Sequence, residues 1–229
     1  MPSTYTGLGT QLMATGENAG TWGTKTNTNL NIIEQISGGY VSIAITSTPT
    51  TLAVSDGVAT DANQVAHRII EFTGSIGEAT VVTIPLDVEQ VYIIKNTSSG
   101  AYTVEFKYVS GSGSSVTWSA TDKGTKIIYA TANDATNPDI VDVMATSSKI
   151  TLANNNALVF NDADNSAAVT LDVPTAVSGS YTLTLPAAVG AAADYALTTS
   201  DGSGNTQWTA TSTFGISTGK AIAMAMIFG

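Results

Sequence analysis

A chain of 229 residues that is 43% hydrophobic can bury one large core or two modest ones, and its composition is not that of a disordered protein. Only 11% of its residues are charged, so the net charge of −10 reflects a scarcity of Lys and Arg rather than acidic runs, and a nucleic-acid partner is not expected. Cysteine is absent, which excludes a disulfide framework and any thiolate metal site.

The start, MPSTYTGLG, has no basic region followed by an apolar core, so no secretory signal is expected. No apolar run approaches the roughly 20 residues that span a bilayer, so membrane insertion is not expected either. The stretch GENAGTWGTKTNTNLNIIEQ, residues 16–35, then opens as a loop. Gly16, Gly20 and Gly23 permit backbone angles closed to other residues, Glu17 and Asn18 lie between them, and Trp22 offers a large flat apolar face. Leu30, Ile33 and Ile36 recur at helical spacing, which predicts a short amphipathic helix with Asn27 or Thr28 as its cap and Gly38-Gly39 as its stop. Trp22 must pack on something. Either loop and helix, residues 1–39, plug one end of the domain that follows, or they seat in a larger assembly.

From residue 40 to 146 the grammar is that of strands. YVSIAIT sets Val41, Ile43 and Ile45 on one face and Ser42, Ala44 and Thr46 on the other. HRIIEFTG, ATVVTIP, QVYIIKNTSSG, YTVEFKYVSGSG, SVTWSA, GTKIIYAT and DIVDVMA follow, rich in β-branched and aromatic residues and punctuated by Gly, Pro, Asn and Ser. The expectation is an all-β fold with a β-sandwich, jelly-roll-like domain over 40–146.

Over residues 147–229 aromatics thin out, Ala and Asn increase and strands shorten. Thin strands of small residues build little core within one chain, so a C-terminal β region assembled between subunits is expected. Leu183, Leu185 and Trp208 are candidate interface residues there. The terminal KAIAMAMIFG adds Ile222, Met224, Met226 and Phe228 on one face, a strand that would be aggregation-prone if left uncovered.

Residues able to carry chemistry are few. The one histidine, His67, falls in a predicted strand and reads as a structural residue. Nucleophile elbow, paired-His metal motif and phosphate-cradling loop are all missing, and GSGSS at 111–115 is a turn cluster without the lysine of a P-loop. Asp87 with Glu89, and Asp162 with Asp164, are the carboxylate pairs a glycosidase would need, yet both sit among turn residues where Asp serves the backbone. DADN and DGSGN lack the full ligand set of a calcium loop. Tyr92, Tyr102, Phe106, Tyr108, Trp118 and Tyr129 read mostly as core or cross-strand pairs. Catalytic residues, cofactors and metals are therefore not expected.

The stretch TYTGLGTQLMATGENAGTWGTKTNTNLNIIEQISGGYVSIAIT resembles the amino-terminal region of structural and tail-fibre proteins of marine tailed bacteriophages, cyanophages and pelagiphages above all. IIEFTGSIGEATVVTIP and VYIIKNTSSGAYTVEFK are similar to the repeating β modules of those proteins. YTLTLPAAVGAAADYALTTSDGSGNTQWTA resembles a segment near the ends of phage fibres, and GKAIAMAMIFG resembles a shared terminal motif. The resemblance implies a non-enzymatic virion protein that attaches through its amino-terminal segment to other virion proteins, commonly as a homotrimer. Because the sequence stops at Gly229 without a following tip, a short tail fibre or tail-fibre adaptor is expected. The alternatives are a head fibre or capsid decoration protein, and an adhesin or depolymerase acting on a host cell-surface glycan.

Overall fold

The structure, a computed structural model, describes residues 2–121, 123–147, 152, 157–162, 166–171, 182–190, 194–201 and 205–214. The chain divides into two units, Met1–Ile150 and Thr151–Gly229, so the expected segments 1–39 and 40–146 share one unit. Strands dominate and the class is all-β.

Unit one opens with a small antiparallel hairpin, β1 (Thr4–Tyr5) and β2 (Gln11–Leu12), followed by the helix α1 (Trp22–Gly38). The helix starts five or more residues before the expected caps. Asn27 and Thr28, the expected caps, lie inside the helix, where the Thr28 hydroxyl donates to the Thr24 carbonyl at 3.0 Å. The end falls where the glycine pair predicts, with the Gly39 N–H donating to the Gln35 carbonyl at 2.8 Å.

Six strands then alternate between two sheets: β3 (Tyr40–Ala44), β4 (Thr50–Thr51), β5 (Ile69–Thr73), β6 (Thr80–Ile84), β7 (Gln90–Asn96) and β8 (Val104–Tyr108). β9 (Val116–Trp118), β10 (Thr125–Ala130) and β11 (Ile140–Asp142) complete them. One sheet has the order β11-β10-β7-β5-β3 and the other β4-β6-β8-β9. The pairs β3–β5, β5–β7, β4–β6 and β6–β8 are all parallel. The chain therefore coils, crossing from sheet to sheet and returning beside its previous strand, for three rungs.

Rungs two and three stack in a constant register. Ile69 pairs with Ile93, Thr80 with Val104 and Ser75 with Ser99, each pair 24 residues apart in sequence. A two-layer sandwich is present, but the all-antiparallel pairing of a jelly roll is not. Only β8–β9, β7–β10 and β10–β11 are antiparallel within it. Alternation in a strand fixes which side chains face inward and leaves open which strand lies alongside; the arches between sheets decide that.

The core lies between the sheets. Val41, Ile43, Ile70, Phe72, Tyr92 and Ile94 of the first sheet meet Val82, Ile84, Val104, Phe106, Val116 and Trp118 of the second, all 5% exposed or less. Four rings interleave across the interface: Trp118 stands edge-on to Phe72 at 5.9 Å, Phe72 is 6.1 Å from Phe106, and Phe106 is 6.1 Å from Tyr92. The Tyr92 hydroxyl donates to the Val65 carbonyl at 2.8 Å, and the Trp118 Nε1–H to the Gly124 carbonyl at 2.9 Å.

Carboxylates tie loops to this frame, and their titration sets an acid limit. Hydrogen bonds from the Ser114 N–H at 2.8 Å and its hydroxyl at 2.9 Å hold Asp139 below its usual range. Bonds from Tyr40, Thr97 and Lys95 do the same for Glu71. Burial pushes Asp142 up, and the Lys126 ammonium at 2.7 Å with two backbone N–H groups outweighs it, leaving that carboxyl low as well. Depressed carboxyls contribute stability that is present above the unfolded values of about 4 and is lost as pH falls through the folded ones. The urea midpoint should hold from neutrality to about pH 5 and drop below about pH 4. An acid-independent midpoint down to pH 2 would contradict this reading. At the other limit, burial raises Tyr108 to about 12, so its contribution is complete below about pH 10 and falls as pH rises further.

Among its described residues, unit two contains two antiparallel strand pairs. β12 (Leu158–Asn161) pairs with β13 (Ala168–Leu171), and β14 (Tyr195–Thr199) with β15 (Thr206–Ala210). Thr184 forms a parallel bridge with Asn205 beside β15.

Candidate functional site

Exposed apolar side chains gather in both units, and two groups of them contain the residues that the sequence singles out. The first is built on the loop and α1. Asn29 acts as a substitute strand for the opening hairpin, since its Oδ1 accepts from the Gln11 N–H at 2.9 Å and its Nδ2 donates to the Gln11 carbonyl at 2.9 Å. The loop is also pinned from below: the Asn63 Nδ2 donates to the Leu8 carbonyl at 2.9 Å, and the Gly57 N–H to the Gly9 carbonyl at 2.8 Å. Gly9, at φ 79°, packs so closely there that a Cβ would lie 2.9 Å from Asn63 and Ser55.

The helix is anchored by Ile32, which is fully buried, and by Arg68, whose Nε donates to the Ile36 carbonyl at 2.9 Å. That anchoring turns another face outward. Trp22 is 66% exposed, Leu30 57% and Ile33 51%, while Ile36 is half-buried at the boundary. Trp22 and Ile33 are eleven residues apart, close to three whole turns, so the stripe runs along one side of the helix for roughly 16 Å. The expected stripe of Leu30, Ile33 and Ile36 is therefore real as a helix face, but the residue of the helix that the fold buries is Ile32. The helical period alone did not distinguish the two faces.

The remaining loop residues frame this stripe. Gly16 and Gly20 both sit at φ 80°, as a glycine-dependent turn requires, whereas Gly23 lies inside the first turn of the helix. Glu17 accepts from the Ser3 N–H and hydroxyl, fixing the loop back on the start of the chain. The Asn18 carbonyl accepts from the Thr21 N–H at 3.0 Å. Met13, Ala14, Gly16, Asn18 and Ala19 form a cleft of about 310 Å³ with Trp22 as one wall.

The second group lies in unit two. All eight residues of β12 and β13 are exposed, with Leu158 and Phe160 on one face and Val159 on the other. Leu183 is 62% exposed and Leu185 67%, and Trp208, at 39%, anchors itself by donating from Nε1 to the Ala188 carbonyl at 2.8 Å. Leu185, Pro186, Val189, Leu197 and Trp208 line an apolar cleft of about 400 Å³. Two-stranded pairs with apolar residues on both faces are marginal in water without cover. Ile222, Met224, Met226 and Phe228 lie outside the described residues, as does Asp164.

The groups considered for chemistry take structural places. His67 is 2% exposed and its Nδ1–H donates to the Asn63 carbonyl at 3.0 Å; a carbonyl can only accept, which fixes the proton on Nδ1. Its Nε2 is 3.6 Å from Asp61, beyond hydrogen-bond reach. Asp162 accepts from the Ser166 N–H at 2.9 Å and hydroxyl at 3.0 Å, between the end of β12 and the start of β13. Glu89 accepts from the Tyr129 hydroxyl at 3.0 Å. Among the described residues no three His, Asp or Glu side chains converge as a metal site would require, and no helix is long and apolar enough to cross a membrane. Of the six aromatics, Tyr92, Phe106, Tyr108 and Trp118 are core, Tyr129 is half-buried and Tyr102 is exposed.

Neither a family model, nor a curated protein, nor a solved structure matches this chain.

Proposed function

We propose that this chain is a non-enzymatic structural component of a tailed-phage virion, a short tail fibre or tail-fibre adaptor. It seats on other virion proteins through residues 16–36 and joins its own copies, as a homotrimer, through the region after residue 147. The observation that carries this reading is the outward stripe of Trp22, Leu30 and Ile33 on a helix held firmly from its other side. Holding a tryptophan 66% exposed on a pinned element brings the isolated chain no stability. Covering such side chains contributes about 1.5–3 kcal/mol each, and buried tryptophans dominate many interfaces. The resemblance of the opening stretch to phage attachment segments points to the same residues.

Trp22→Ala tests it. The variant should unfold at the wild-type urea concentration, because little of the ring is packed in the free chain. Its incorporation into particles should fall, with an affinity for its seat roughly 30-fold or more weaker, as expected for a hot-spot loss of about 2 kcal/mol. Incorporation at the wild-type level would overturn the assignment. Labelled particles viewed by electron microscopy decide between a tail and a capsid station.

A further inference from the structure

From the outer face of the five-stranded sheet we infer a self-association surface: copies of this chain meet by turning this face of unit one toward the same face of another copy. Three of its strands carry an isoleucine doublet in matching register. Ile70, Ile94 and Ile128 point into the core and are fully buried. Their neighbours Ile69, Ile93 and Ile127 point the other way and lie side by side, Ile69 opposite Ile93 and Ile93 opposite Ile127. Tyr40 extends this row on β3, opposite Ile69, and Val143 extends it at the far side, where its N–H donates to the Ile127 carbonyl at 2.9 Å. A second row runs beside the first, with Tyr129 opposite both Val91 and Val141.

Sheets that face water on one side alternate apolar inward and polar outward. The four-stranded sheet follows that rule more closely: its outer face carries one half-buried valine, Val81, and the buried Thr83 on β6, with Thr51, Glu105, Lys107 and Thr117 on the strands beside them. The five-stranded sheet does not. Tyr40 is 53% exposed, and Val91, Ile127 and Val143 are each between 37% and 39%. With strands about 4.8 Å apart, two such rows cover on the order of 300 Å². An apolar patch of that size, ringed by polar groups, suits the centre of a standard interface of about 800 Å² per partner.

The occupant follows from charge. A chain of net charge −10 repels its own copies over most of its surface. On this face the strands carry one acid and one base, Glu71 and Lys95, and these pair at 3.3 Å. The rim tyrosines are engaged as well, Tyr40 donating to Glu71 and Tyr129 to Glu89. With Glu71 and Lys95 paired and Glu89 held at the rim by Tyr129, two acidic copies approach here against little opposing charge, and copies of one face gathered about a symmetry axis form a closed assembly.

The absence of cysteine makes the test direct. The full chain carrying Ile127→Cys, treated in solution with a short-arm bis-maleimide, should give covalent dimer in several-fold greater yield than the chain carrying Thr117→Cys on the opposite sheet. Val91→Cys on the same face should behave as Ile127→Cys does, which guards against a local folding fault in either variant. Equal yields from the two faces, or dimer from neither, would overturn the proposal. The reaction involves this chain alone, so failure of the virion assignment leaves the outcome unaffected, and failure here leaves the Trp22 assignment standing.

Discussion

Phe106→Ala should be the most damaging single substitution in unit one, lowering its unfolding free energy by about 3–5 kcal/mol. Phe106 is fully buried on β8 and lies between Phe72 and Tyr92, both on strands of the facing sheet. Removing it takes away the ring that joins the Trp118–Phe72 pair to Tyr92, and β8, fixed by a parallel ladder to β6 and an antiparallel one to β9, cannot close over the gap. Against a total of about 5–15 kcal/mol for an ordinary domain, that loss leaves little reserve. The measurement is the urea midpoint at unchanged slope, with Tyr102→Ala as comparison. Tyr102 is 41% exposed, so its truncation should shift stability by about 0.5 kcal/mol or less. Similar midpoints for the two variants would mean that the sheets are not packed through their aromatic faces.

The strands were legible in the sequence because alternation of apolar residues is a local signal. Val41, Ile43 and Ile45 are all buried, as the period of two in YVSIAIT requires. The coil was not legible, because register between rungs is a property of chain segments far apart. The stretches IIEFTGSIGEATVVTI and IIKNTSSGAYTVEFKY occupy equivalent places 24 residues apart, and few of their side chains coincide. What repeats is the pattern: an isoleucine doublet, an arch containing a glycine of positive φ, and a strand of the second sheet. Gly74 and Gly100 hold φ values of 96° and 102° in those arches, and a Cβ on Gly100 would sit 2.3 Å from the Ile76 carbonyl oxygen. The arch is therefore tightly constrained although its sequence varies.

The candidate attachment face was legible in part. Helical spacing identified Leu30 and Ile33, and the bulk of Trp22 marked it as needing cover. Which side of the helix the fold buries depends on Ile32, Arg68 and the Asn29 bridge to Gln11, and no helical period encodes those partners. The outer sheet face offered a clearer signal that alternation obscures. A doublet such as Ile69-Ile70 satisfies a strand pattern whichever residue points inward, so the second isoleucine is easily taken as redundant. Only when three doublets fall in one register does the unused member of each become a surface.

Removing residues 151–229 should weaken self-association more than any single substitution does. Leu158 and Phe160 on β12, and Leu183 and Leu185 on either side of the Thr184 bridge, are between 47% and 67% exposed. Each such side chain, once covered by a neighbouring copy, contributes about 1.5–3 kcal/mol before the cost of ordering is subtracted. The full chain should therefore scatter light as a species about three times its 23.4 kDa mass, and that mass should persist on dilution. The fragment ending at residue 150 keeps its own core and the outer face of its five-stranded sheet, so it should still associate at high concentration. On dilution its mass should fall to that of one chain, because a face of about 300 Å² of apolar surface supports only a weak contact by itself. A fragment whose mass per particle, counted in chains, matches the full chain at every dilution would show that the region after 150 contributes nothing to assembly. A full chain that is monomeric throughout would remove the trimer, and the exposed strand pairs would then require cover from a different protein.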